Sequence, residues 1–406
     1  MVERDLIVTL NAGSSSLRCA VFERGEDGPE AWLRLSLRGL PGAMIWARED
    51  ARTGKTAEQD LTPPGDPDEA QVAALAEMKA RLLAEVVPGR IAAFAHRVVH
   101  GGRDHARPVR VTDAVLENLA ALAPLAPTHQ PHNLAAIRDL ARDFPEVPQV
   151  ACFDTAFHSD LALADRVFAL PRHLAGEGVV RYGFHGLSYD HVAGALRRVA
   201  PDLAEGRVVV AHLGHGASMC ALSAGRSVAT TMGMTALDGL PMGQRPGALD
   251  PGVVLYLIEE RGMAPAEVRE MLYDRSGLLG LSGISGEMIE LLDSDAPEAQ
   301  EAVEFFAYRC RRETGSLAAA LGGLDALVFT GGIGEHAPEI RARICNGLGW
   351  LGVALDDGAN MAGETRISAP GAGVAVLMIP TDEESVLAKG AEQVLKGLSP
   401  VPAPRS

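Results

Sequence analysis

The sequence predicts an α/β protein of two or three domains, on three observations. Strand-like and helix-like segments alternate along the chain. The clearest strand-like runs, residues 6–10, 208–213 and 326–330, each lead into Gly- or Ser-rich turns. At 406 residues the chain exceeds what one hydrophobic core holds.

Taken in order, the apolar run 6–10 opens the chain and is followed by Asn11-Ala12-Gly13-Ser14-Ser15-Ser16-Leu17-Arg18. Gly13 permits a tight turn whose amides can form an anion nest, with hydroxyls and a guanidinium as further donors. An ordinary Ser-rich hairpin turn reads equally well. Residues 35–66 are rich in Gly, Pro and charge with weak periodicity, and are expected to form irregular strands and loops. Within them Thr53-Gly54-Lys55-Thr56 ends like a P-loop, but Glu49 occupies the first required glycine position. Helical spacing follows over 67–87 and 113–122. Between them the apolar 91–95 runs into His96-Arg97-Val98-Val99-His100, and Arg97 stands where a zinc-protease HExxH needs glutamate.

Asp154 follows the apolar 150–153, and an acid at the end of a buried strand is either functional or a turn cap. After a helix over 190–199, residues 208–213 lead into Gly214-His215-Gly216-Ala217-Ser218. This strand, small-residue turn and strand echoes residues 10–20. The echo reads either as duplicated halves with phosphate-binding hairpins or as two unrelated hairpins. Arg245 lies among loop glycines, where a guanidinium suits bidentate binding of carboxylate or phosphate, or a surface ion pair. A long helix is expected over 297–321. The strand 326–330 runs into Gly331-Gly332-Ile333-Gly334-Glu335, with Pro338 placed to open a helix. The last helix, 383–395, follows Thr381 and Glu384, which fit a capping box and leave Glu383 for another role. Residues 399–406 form a Pro-rich tail expected to be disordered.

Composition narrows the function. The net charge of −16 argues against nucleic acid or an anionic membrane as partner. No signal peptide is seen, and no run reaches the ~18 apolar residues of a membrane helix. Five scattered cysteines without a CxxC motif read as reduced thiols in a cytoplasm.

Together, segments 11–18, 96–102, 153–158, 181–186, 212–218, 242–251, 327–335 and 379–384 resemble the acetate and propionate kinase family, in its order from end to end. The resemblance implies an actin-like, sugar-kinase-like (ribonuclease H-like) α/β fold of two duplicated domains around a cleft, as a homodimer. An N-terminal domain of residues 1–150 plus 384–406, closed by the C-terminal helix, would face a nucleotide-binding domain of 151–383. It implies phosphoryl transfer from ATP to acetate, giving acetyl phosphate and ADP. A propionate or other short-chain carboxylate kinase, one with a different phosphoryl donor, and a non-catalytic nucleotide-binding regulator are the alternatives.

The family's roles transfer by position. Asp154, His185 and Arg245 would be catalytic. Arg97, Val99, Thr128, Phe184 and Ala236 would bind the carboxylate. Ser14, Ser16, Arg18, His212, Leu213, Gly214, His215, Gly216, Glu287, Met288, Ile289, Gly331, Gly332, Ile333, Gly334 and Glu335 would bind nucleotide. Asn11 and Glu383 would hold Mg²⁺, with Mn²⁺ as the alternative. Because the acceptor carboxylate is already ionised, no general base is needed, and Asp154 is expected to orient the metal, a water or an arginine. The departures cluster. His215, His336 and Ile289 replace family residues on the nucleotide side. Thr128 and Ala236 do so on the acyl side, and Tyr189 stands where the family has a second histidine.

Overall fold

The computed structural model describes residues 5–13, 16–40, 44–61 and 67–397. Ser14 and the Pro-rich tail 399–406 lie outside the described residues. The chain divides into two compact units, one of residues up to Ala156 together with those from Asp382 onward, the other Phe157–Thr381. The divisions thus fall at 156/157 and 381/382, not at 150/151 and 383/384, so Asp154 and Glu383 belong to the first unit. The reason is local: Asp154 directly follows a strand of that unit's sheet, and Glu383 opens a helix packed on it.

The first unit holds an eight-stranded sheet in the order β5-β4-β3-β2-β1-β6-β8-β7. Its strands are β1 (Leu6–Ala12), β2 (Ser16–Gly25), β3 (Gly28–Arg38), β4 (Met44–Asp50), β5 (Lys55–Leu61), β6 (Ile91–Val98), β7 (Val109–Arg110) and β8 (Gln149–Phe153). β1, β6 and β8 run parallel, while β1 through β5 form an antiparallel meander. Central strands β1 and β8 are buried at every position, hence their unbroken apolar character. Leu6, Val8 and Leu10 of β1 share a core with Met78 and Leu82 of helix Pro67–Glu85 and with Leu140 of helix Gln130–Asp143.

The expectation of irregular structure over 35–66 is corrected, because β3, β4 and β5 are regular strands. β5 is an exposed edge strand of mostly polar residues, held by backbone pairing with β4, so it carries no apolar alternation to read. The rejected P-loop is the β4–β5 turn. Gly54 takes φ +69° there, and Asp50 accepts the amides of Arg52 and Thr53.

The second unit holds a five-stranded sheet in the order β11-β10-β9-β12-β13. Its strands are β9 (Arg207–Leu213), β10 (Ala217–Ser223), β11 (Arg226–Thr230), β12 (Ala326–Thr330) and β13 (Ala375–Met378). β9, β10 and β11 are antiparallel, and β9, β12 and β13 run parallel. Helix Gly186–Val199 buries Val192, Ala195 and Leu196 in a core with Val208, Val210, Val328 and Leu377.

The order β3-β2-β1-β6-β8 in the first unit repeats strand for strand as β11-β10-β9-β12-β13 in the second. The two hairpins are therefore equivalent halves of a duplicated ribonuclease H-like, actin-like fold. Among the described residues no helix is long and apolar enough to cross a membrane.

Candidate active site

Four expected residues meet at the carboxyl ends of the first unit's parallel strands, the usual place for function in α/β sheets. Asn11 is near the end of β1, Arg97 near the end of β6, and Asp154 immediately after β8. Glu383 is the first residue of helix Glu383–Leu395. Arg97 Nε lies 3.0 and 3.1 Å from the two Asp154 oxygens, and its Nη2 lies 2.6 Å from Oδ2. Nη1 donates to Asn11 Oδ1 at 3.1 Å, and Asn11 Nδ2 donates to Glu383 Oε2 at 2.8 Å. One N–H on each of Nη1 and Nη2 thus has no protein partner among the described residues. Burial works against the Arg97 charge, but Asp154, Glu383 and Glu384 outweigh it and raise the guanidinium above its ordinary pKa. The cation is therefore permanent.

The acids at the helix start are held differently from the expected capping box. Asp382, not Thr381, is the cap and accepts the Ser385 amide at 3.0 Å. Thr381 instead donates its amide to Glu335 Oε1 and its hydroxyl to Ser188 Oγ, both in its own unit. Glu384 Oε1 is buried and has no hydrogen-bond partner among the described residues. Burial, and then the neighbouring Glu383, raises its carboxyl pKa.

Two residues that sequence reasoning missed shape this end of the sheet. Asn133 Nδ2 donates to Ala12 O at 2.8 Å while its Oδ1 accepts the Val99 amide. Gln130 accepts the His100 amide and donates to the His100 and Leu119 carbonyls. Both are buried and stand on the same helical face as Leu134 and Ile137. Polar side chains on an apolar stripe were the available signal. Val99 is buried, and the Thr128 hydroxyl is engaged by His129 Nδ1 at 2.7 Å. Ser16 begins β2, and Arg18 is exposed on it.

The second unit gathers the remaining residues around the β9–β10 turn. His185 caps helix Gly186–Val199 in the left-handed region at φ 57° and follows buried Phe184. Its ring stacks on His212 with centroids 4.3 Å apart. A methyl group placed on Gly216 would sit 2.9 Å from Arg245 Nη2 and 3.3 Å from His185 Nε2, so both converge on that glycine. Arg245 Nη1 donates to Ala236 O at 2.8 Å, which gives Ala236 a backbone role. His212 Nδ1 meets Ser188 Oγ at 2.8 Å.

The two glycine turns approach each other. Gly331, at φ 78°, leaves no room for a side chain against the Leu213 backbone, and Gly214 faces Gly332. Helix Gly331–His336 begins at the first glycine, earlier than the start expected at Pro338, which opens a second helix, Pro338–Asn346. Glu335 Oε1 accepts the amides of Gly331 and Thr381. Arg341, also missed, is fully buried and donates to the Gly334 and Glu335 carbonyls at 2.8 Å. His215 Nδ1 meets Glu287 Oε1 at 3.1 Å, and Gly243 donates to His215 O. Beyond Glu287, Met288 is buried and Ile289 is 70% exposed.

Comparison with known proteins places the chain in a family. Residues 6–389 match the family model described as the acetokinase family. The chain is 52% identical to an acetate kinase of Rhodopseudomonas palustris, covering 95% of this chain and 97% of that one. It is 49% identical to an acetate kinase of Methylocella silvestris, covering 94% and 96% respectively. Among solved structures it resembles a propionate kinase from Francisella tularensis, with TM-score 0.85, 33% identity and coverage of 95% and 98%. An acetate kinase from Porphyromonas gingivalis gives TM-score 0.81, 31% identity and coverage of 96% and 100%. The chain belongs to the acetokinase family.

Proposed function

We propose that this enzyme transfers the terminal phosphoryl group of ATP reversibly to acetate, giving acetyl phosphate and ADP. The observation that carries the reading is Arg97. Asp154 and Asn11 fix its guanidinium, and one N–H on each terminal nitrogen remains for a ligand. That suits the two oxygens of a carboxylate or the oxygens of a phosphoryl group. Both Asp154 oxygens accept from Arg97, which supports a role in orienting the guanidinium and not in taking a proton. His185 and Arg245, converging on Gly216, supply donors to phosphoryl oxygens as charge develops there. The β9–β10 turn and the glycines from Gly331 to Gly334 are the nucleotide-binding segments of this reading.

No three acids, histidines or cysteines among the described residues are grouped to hold an ion, so a divalent cation here would take hard oxygens from Asn11 and Glu383, which lie in hydrogen-bond contact, and its remaining ligands from phosphate and water. Mg²⁺, or Mn²⁺ in its place, held by Asn11 and Glu383, would neutralise phosphate charge. Helix Pro251–Glu259 has no buried residue and exposes Val253, Leu255 and Tyr256, which supports its burial in a homodimer. Five buried cysteines, none of them in a disulfide, support a reducing, cytoplasmic setting.

Trapping the acyl phosphate as hydroxamate tests the proposal, with acetate and propionate as acceptors and ATP, GTP and pyrophosphate as donors. Product with acetate, ATP and Mg²⁺ is expected. Asp154→Asn should lower kcat/KM about a hundredfold, the counterpart of ~3 kcal/mol for breaking a buried ion pair. Preference for propionate would move the substrate assignment. No product under any combination would leave a nucleotide-binding regulator.

A further inference from the structure

A second buried histidine reaches the backbone that carries His185. His158 closes the short helical turn Ala156–His158 and is buried. Its Nε2 lies 3.0 Å from the Phe184 carbonyl oxygen, and its Nδ1 lies 2.8 Å from Ser227 Oγ of β11. A carbonyl oxygen only accepts, so the ring proton sits on Nε2 and Nε2 donates. Burial keeps the ring neutral at neutral pH, which leaves Nδ1 to accept the Ser227 hydroxyl. The ring also lies against Gly183. A methyl group placed on that glycine would meet His158 Cδ2 at 2.6 Å and Thr230 Cγ2 at 2.8 Å.

The contact holds an unusual piece of backbone. Among the described residues only His185 and Ala224 are non-glycine residues at positive φ. Ala224 shares the β10–β11 turn with Gly225, where a positive φ is ordinary. His185, at φ 57° and ψ 23°, opens a helix instead. A side chain stays in the left-handed region there only where its surroundings impose it. Two peptide planes flank its Cα. The plane before it contains the Phe184 carbonyl, which His158 binds. Just upstream, the amides of Tyr182 and Gly183 both donate to Gly233 O. The plane after it contains the His185 carbonyl, which accepts the Tyr189 amide at 3.1 Å as the first bond of the helix. With both planes held, φ, ψ and the direction of the Cα–Cβ bond are set. Ser218 Oγ, 2.8 Å from His185 Nδ1, and the His212 ring stacked at 4.3 Å then fix the rotation of the imidazole.

We infer that His158 is a positioning residue: by binding the Phe184 carbonyl it holds His185 in the left-handed conformation that aims its imidazole at Gly216, beside Arg245. The kinetic consequence rests on the kinase reading, but the hold on His185 does not. Ser227 serves the arrangement by occupying Nδ1, which keeps the ring turned with Nε2 toward the carbonyl.

The test separates the two ring nitrogens. In His158→Gln the amide nitrogen stands near the place of Nε2 and keeps a donor for Phe184. In His158→Asn it reaches only the place of Nδ1 and loses that donor. Crystal structures of both full-length variants report the His185 backbone, with steady-state kinetics and urea midpoints alongside. His158→Asn should release His185 from its left-handed φ or from the His212 stack, with kcat down about tenfold and KM for both substrates within about twofold. His158→Gln should keep the His185 geometry and hold kcat within about threefold of wild type, whatever its urea midpoint. His158→Met, which fills the space without a donor, is the second route should His158→Asn fail to fold. An unmoved His185 in the variants without the donor would overturn the inference. So would kcat losses in His158→Gln and His158→Asn that are equal and follow their losses of stability, or a kcat unaltered in every variant. A wild type without kinase activity, together with a displaced His185 in His158→Asn, would instead strike at the kinase reading and leave the hold on His185 standing.

Discussion

Gly216 shows how much a single hydrogen atom in place of a side chain can decide. A methyl group there meets Arg245 Nη2 at 2.9 Å and His185 Nε2 at 3.3 Å, both the ends of side chains that can move. Gly216→Ala is therefore expected to fold with near-normal stability and to displace the guanidinium. The expected loss in kcat is about a hundredfold, typical of an ångström-scale misplacement. Parallel kcat and urea-midpoint measurements check it, and a loss of stability matching the loss of activity would count against it. At this scale the sequence was readable where one residue type carries the chemistry. Arg97, Asp154 and Arg245 stood out by their neighbours, and His185 through the family resemblance alone. The links among them were not readable. His185 and Ser218 are 33 residues apart, and Asn11 and Glu383 are 372 apart. Whether such pairs touch depends on strand register and on where a helix returns.

Among the elements, helix Glu383–Leu395 depends on Gly390. A side chain there would approach Cys152 Sγ to 2.7 Å and Pro108 Cγ to 3.0 Å, so the helix lies close against β8. Gly390→Ala gains helix propensity, but overpacking costs more, about 1–3 kcal/mol net of relaxation. The variant should unfold at lower urea, and an unchanged or higher midpoint would contradict this packing. Helices were the most legible elements. Pro297–Leu321 and Glu383–Leu395 have the bounds that apolar spacing, Pro at the start and acids in the first turn predict. The β3–β5 meander was illegible because its outer strand is polar on both faces. Its ladder is made by backbone groups that every sequence shares.

For the whole molecule, two buried histidines set the response to acid. Burial pulls His96 down to about 4 against the Gln149 hydrogen bond, and His158 down to about 4 against the Phe184 carbonyl. In the unfolded chain each binds its proton near 6.5. The unfolded state therefore takes up protons first as pH falls. Stability is full above pH 6.5 and declines toward pH 4, by up to about 3 kcal/mol for each histidine. Urea midpoints taken between about pH 7 and about pH 4.5 should drop, and glutamine at either position should flatten the slope. A midpoint independent of pH across that window would refute the assignment. The duplication also belongs to this scale. In the sequence, two strand–turn–strand segments were equally an echo or a coincidence. Only the matching pairings of β1 with β2 and β6, and of β9 with β10 and β12, decide it.

The return of helix Glu383–Leu395 to the first unit has a consequence for how the protein is made. Asn11, Arg97 and Asp154 leave the ribosome early, with their sheet, but the carboxylate that Asn11 holds comes from residue 383. Throughout most of translation the nascent first unit lacks both its closing helix and Glu383. A product interrupted before that helix emerges is left without the carboxylate that Asn11 holds. Competence for chemistry is thereby tied to reading the message through to the helix, so prematurely terminated chains are silent instead of partly active.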